Sequence, residues 1–203
     1  METKVEDRSN SVRSVFFSFI KPYLALIDSG KLFREPFGWF YMVFAILNLL
    51  FPFYMMYEMI KNGIFDAPFK LVIGILLIWL VIVLVCWISF QLWWDRKSKI
   101  STISAEGVDF IATPVYSHFI QTLGEWIGTA VAVVGFCGTL LAWMFLAGND
   151  MGFLELLPID FDKLGIAALI IFPIVGFFII ITSRFAAEQF RALAAIANNT
   201  RKD

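Results

Sequence analysis

The stretch LVIGILLIWLVIVLVCW, residues 71–87, carries no charged side chain. Read outward, it grows into an apolar run from Phe69 to Trp94, closed by Trp93-Trp94-Asp95-Arg96-Lys97. A helix needs roughly 20 apolar residues to cross a bilayer core, so this run is long enough to span with some tilt. Three further runs behave alike, at about 37–60, 119–147 and 164–182. Trp39, Phe40 and Tyr41 mark one end of the first, and Tyr54 and Tyr57 approach the other, as interfacial aromatic belts do. Pro173 in the fourth predicts a kink, tolerable in lipid where neighbours satisfy the freed carbonyl.

Composition agrees. Sixty per cent of the 203 residues are hydrophobic, and mean hydropathy is +0.78. A soluble domain of that size cannot bury so much apolar side chain. The expected fold is an all-α integral membrane four-helix bundle, residues 37–182. An N-terminal segment, 1–36, precedes it, and a helical tail, 183–203, follows. Within the N-terminal segment, Val12 to Ile27 is broken by Lys21 and Pro22 and lacks a cleavage site, unlike a signal peptide. It suits an interfacial amphipathic helix, with Phe16, Phe17, Phe19 and Ile20 in the acyl region and Arg13 and Lys21 at headgroups. Asp28-Ser-Gly30 ends it with turn chemistry.

Lysine and arginine set the orientation. Thirteen lie in the N-terminal segment, the second connection and the tail, against three in the first and third connections. Both termini are therefore expected in the cytoplasm, at the plasma (inner) membrane. In the tail, Arg184, Glu188 and Arg191 share one face at steps of four and three. Nothing between Ile181 and Arg184 breaks a helix, so the fourth span can continue into the tail as one rod.

Function classes are mostly excluded. A net charge of −1 gives no basic face for nucleic acid. Cys86 and Cys137 sit in apolar runs and read as small hydrophobes. One histidine, His118, cannot build a histidine-rich metal site. Asp150, Asp160 and Asp162 lack the glycine-turned loop of a Ca²⁺ site and read as a solvated loop. No nucleophile–base pair, phosphate loop or metal motif is visible, so no cofactor and no enzymatic activity are expected. An enzyme acting on lipid would have to use Ser98 to His118, the one polar stretch at an interface.

The third span holds the candidate site. Glu125, at or just inside the hydrocarbon edge, is a candidate ion or proton site, since charges there often mark such paths. The plainer reading sets it among headgroups or pairs it with a base such as Lys97 or Arg184. Gly124, Gly128, Ala132, Gly135 and Gly138, with Thr139, form a small-residue stripe at steps of three and four, a helix-packing interface. The stripe does not say whether its partner helix belongs to this chain or to another copy. Asn48, Gln91 and Thr129 are scattered polar groups, too few on one face to line a pore.

The opening Phe16-Phe17-Ser18-Phe19 and the closing Arg184…Glu188…Ile196-Ala-Asn-Asn-Thr200 resemble the ends of a family of small uncharacterised bacterial membrane proteins, a domain of unknown function. This chain has twice the spans expected of that family. The resemblance implies bacterial origin and no known activity. The functional expectation is a non-enzymatic membrane accessory or scaffold protein that forms a homo-oligomer or binds a membrane-protein partner. The alternative is an oligomeric ion channel or small transporter with Glu125 near its path.

Overall fold

The computed structural model describes residues 20–22, 31–102, 112–146 and 165–200. Four long helices carry the fold: α1 (Lys31–Lys61), α2 (Phe69–Thr102), α3 (Ala112–Leu141) and α4 (Ala168–Thr200). Each includes a stretch long and apolar enough to cross a membrane. A π-helical turn, Ala142–Leu146, prolongs α3, and a 3₁₀ turn, Gly165–Ala167, leads into α4. The interfacial helix expected over Val12 to Ile27 lies outside the described residues except for Ile20–Lys21–Pro22, which are helical. The acidic outer loop with Asp150, Asp160 and Asp162 lies outside them too.

Helix and apolar run do not coincide. Ser98 to Ser117 reads as a polar connection, yet α2 continues to Thr102 and α3 starts at Ala112. Helical hydrogen bonding is a backbone property and needs no apolar side chain to continue. The first connection is a tight turn, with Gly63 at φ 70°, the left-handed region glycine enters without strain. Proline lies inside α1 at Pro36 and Pro52, and inside α4 at Pro173. Trp79 of α2 donates its indole N–H to the Pro52 carbonyl at 3.0 Å, tying the two helices at that proline.

The helices pair in chain order. α3 with α4 is the most extensive contact, α1 with α2 the next, and α2 with α3 joins the two pairs. α1 touches α3 lightly, and α4 is the least buried of the four. Two apolar clusters lie toward opposite ends of the bundle. One gathers Tyr41, Ala45, Trp93, Ile100 and Val115. The other gathers Met55, Met59, Ile75, Ile78, Ile82 and Phe172. Between them lies a cavity of about 440 Å³ beside Phe44, Ile82 and Val134.

The small-residue stripe faces α4 of the same chain. A Cβ at Gly128 would lie 2.5 Å from the Gly176 carbonyl oxygen and 2.6 Å from Ile180 Cγ1. A side chain at Gly124 would overlap Ser183, and one at Gly135 would overlap the Phe172 ring. From the other side, a Cβ at Gly176 would lie 2.7 Å from the Ala132 Cβ. Gly138 and Thr139 are buried farther along the same helix. Backbones approach this closely only where side chains are missing, and dispersion across such a seam drives association in lipid.

Gly128→Leu is therefore expected to lower the thermal midpoint in detergent. Overpacking of about 1–3 kcal/mol is the relevant scale. Gly38→Leu is the control, because nothing lies within 4 Å of a Cβ there. Equal midpoints for the two variants would remove the seam from the account.

Candidate functional site

Glu125 ends an uncharged run: no charged residue stands between it and Asp150. The same holds for α2, uncharged from Lys70 to Asp95, and α4, uncharged from Lys163 to Arg184. The antiparallel order of the helices brings these run-ends to one level. There the Glu125 side chain is 9 % exposed and bridged by two arginines from two helices. Arg96 of α2 donates Nη2–H to Oε2 at 2.9 Å. Arg184 of α4 donates Nε–H to Oε1 at 3.0 Å, with its Nη2 2.8 Å from the same oxygen. Gln121, one turn away on α3, donates Nε2–H to Oε1 at 2.9 Å.

The network continues along the α3–α4 seam. Arg191 lies seven residues beyond Arg184, on the same face of α4. It donates to Gln121 Oε1 and to Ser117 Oγ. Ser117, Gln121 and Glu125 are spaced four apart, so α3 presents them as a ladder. Small residues occupy that face on one side of Glu125 and polar ones on the other. A second set of bonds holds α1 to α3. Thr122 donates to the His118 carbonyl, and Tyr41 donates to Thr122 Oγ1 at 3.2 Å. With both hydroxyl protons used, the 2.9 Å contact between Tyr41 and His118 Nδ1 has the imidazole as donor. Trp126 donates to Asn48 Oδ1 at 3.0 Å, two turns farther along.

Of the partners expected for Glu125, Arg184 is present and Lys97 is not. Lys97 turns instead toward α1, its Nζ 3.6 Å from Met42 Sδ and 5.3 Å from the Trp94 ring centre. Neighbouring helix residues point 100° apart, and α2 is rotated so that Arg96 faces α3. Sequence alone does not single out Arg96, Gln121 or Ser117, and it reads Tyr41 as an interfacial aromatic and Arg191 as part of the tail's charged face. His118, read from sequence only as too solitary for a metal site and as the end of a polar stretch, is buried and bonded. The one available signal was position: Arg96, like Glu125 and Arg184, stands at or next to the end of a long uncharged run.

Chemically, the arrangement neutralises a carboxylate and leaves a surplus of positive charge. Both Glu125 oxygens already accept hydrogen bonds. Binding a cation there would require displacing an arginine. Three buried nitrogens at this end, Trp93 Nε1, Arg96 Nε and His118 Nε2, have no partner among the described residues. Among those residues, no group of three His, Cys, Asp or Glu side chains is placed to hold a metal ion.

The two ion pairs differ in solvent access. The Arg96 side chain is 22 % exposed and that of Arg184 is 55 % exposed. Double-mutant cycles with glutamine replacements are expected to give Arg96–Glu125 a coupling of about 1–3 kcal/mol. The Arg184–Glu125 coupling should fall below about 1 kcal/mol, as water screens it. Chemical denaturation in detergent measures both, and the reverse order would contradict the burial argument. No family model matches the chain, and comparisons with curated proteins and with solved structures found no match.

Proposed function

We propose that this chain is a non-enzymatic multi-pass protein of the plasma (inner) membrane, with both termini cytoplasmic, that associates with its own copies or with another membrane protein. Lipid is the first partner. Large apolar side chains such as Phe53, Phe69, Leu84 and Phe178 are exposed along the helices, and a hydrocarbon layer covers them where water would not. The level marked by Arg96, Glu125 and Arg184 is then the cytoplasmic headgroup boundary, in keeping with the excess of basic residues on that side.

The observation that carries the association reading is the outward face of α4. Ile171, Ile174, Phe178, Ile181, Phe185, Leu193 and Ile196 fall on one stripe at 100° per residue, opposite the seam with α3. All are exposed. Lipid covers the stripe only as far as the headgroup boundary at Arg184. Beyond it, Phe185, Leu193 and Ile196 remain about 60 % exposed on a helix that continues unbroken to Thr200. Gln189 and Ala192, within the stripe, are uncharged, and Glu188 borders it on one side. A second helix covers such a face. The transport alternative gains no such support, because the Glu125 oxygens are committed to Arg96, Arg184 and Gln121.

The particle purified in mild detergent should exceed the mass of one 23.2 kDa chain plus its micelle. Combined Phe185→Ser, Leu193→Ser and Ile196→Ser should reduce it to one chain. A native protein that is strictly monomeric and carries no partner would sink this reading. Orientation is tested separately, in a background lacking Cys86 and Cys137. Asp66→Cys should react with an impermeant maleimide added to intact cells, and Thr200→Cys should react only after permeabilisation.

A further inference from the structure

α2 and α4 both lie against α3 but have at most slight contact with each other, which leaves a groove floored by α3. At the level of the charge cluster the groove holds a pocket of about 250 Å³. Ser89 and Leu92 of α2, Glu125 and Thr129 of α3, and Ile180 and Arg184 of α4 line it. Its charged groups, Glu125 and Arg184, stand at its mouth; Thr129 lies one turn deeper on α3, and the Ser89 hydroxyl is spent on the Val85 carbonyl. Deeper, the same helix faces carry Val133 and Phe136 on α3 and Phe177 on α4, and Leu84 on α2 lies one turn below Ile88, which also lines the pocket. These are exposed, Leu84 at 56 % and Phe177 at 59 %. The groove is polar and charged at its mouth and apolar below.

We propose that this groove binds one phospholipid with an anionic headgroup from the cytoplasmic leaflet, its phosphate at Arg184 and an acyl chain running toward Phe136 and Phe177. The inference rests on the membrane orientation proposed above but not on the association reading. Charge complementarity selects the headgroup. Arg96 and Arg184 share one carboxylate, and Arg191 two turns away adds a third arginine while Glu188 between them adds a second carboxylate, so the cluster keeps a net positive charge. Arg184 binds Glu125 through Nε and Nη2 yet is more than half exposed, so its remaining N–H donors can meet a phosphate. Basic pockets between helices on the cytoplasmic side are suited to anionic headgroups. The order of polar mouth and apolar floor matches the order of head and chain in a lipid of that leaflet, and a free phosphate would gain nothing from the floor.

The test uses the full chain reconstituted in nanodiscs, after flotation with vesicles has established insertion. Failure to float would remove the membrane reading itself. With insertion established, the lipids retained on transfer to detergent are counted by native mass spectrometry, from discs of equal phosphatidylglycerol and phosphatidylcholine. The expected result is one retained phosphatidylglycerol, favoured over phosphatidylcholine by roughly five- to tenfold. Thr129→Trp fills the pocket from its floor and Leu92→Trp from its wall, and neither residue belongs to the ion-pair network. Each should abolish the preference while the elution profile and helical circular dichroism stay native. Equal retention of the two lipids by the native protein would overturn the proposal, as would a preference that survives in whichever variant folds.

Discussion

Glu125 stands where an uncharged helical run ends, and an ionised carboxylate there needs compensation from its own chain. Three of the four helices are organised around that need. α3 supplies the carboxylate and Gln121, α2 supplies Arg96, and α4 supplies Arg184. Such pairs do not by themselves make a fold stable, because desolvation offsets much of the attraction. They do make it particular. An arrangement that moved α2 or α4 away from α3 would leave the buried Glu125 carboxylate short of an arginine. The charge cluster thus selects which helices are neighbours and how they are rotated, while apolar packing supplies most of the adhesion.

Adhesion and selection meet at adjacent residues. Gly124 precedes Glu125, and Ser183 precedes Arg184. A side chain at Gly124 would strike Ser183 and push α4 outward at the point where Arg184 must reach the carboxylate. The close approach of Gly128 and Gly176 sets the same spacing one turn deeper. One face of α3 is thereby continuous in purpose, with small residues below Glu125 bringing α4 close and Gln121 and Ser117 above it receiving Arg191. The second polar set, Tyr41 with His118 and Thr122, fastens α1 to the same helix. α3 is the hub because α2 and α4 meet at its Glu125 while α1 is bonded to a separate strip of its surface.

Much of this was legible in the sequence. Four apolar runs, the small-residue stripe, the isolation of Glu125 and the reach of Arg184 all follow from spacing and charge. Three things were not. Choosing Arg96 over Lys97 depends on the rotation of α2 about its axis, and adjacent basic residues give no hint of it. Gly176 is a lone glycine in an apolar run, visible as a packing site only once Gly128 is seen opposite. His118 and Ser117 look like connection residues because hydropathy falls after Trp94, but a helix can extend through polar sequence wherever neighbouring helices bury one side of it. The partner of the stripe was undecidable from one chain's pattern, since a glycine face reads the same whether it meets its own α4 or another copy.

α4 has no joint where it leaves the apolar layer. Its 33 residues form one rod from Ala168 to Thr200, about 50 Å long at 1.5 Å per residue. A rod converts angle into displacement. Apolar helices tilt to match the thickness of the bilayer around them, and a tilt of about 10° carries the far end of a 50 Å rod sideways by roughly 9 Å. The bonds from Arg184 and Arg191 to α3 make the two helices lean together. In the membrane placement proposed above, the end of the tail would therefore shift with the thickness of the bilayer around the span.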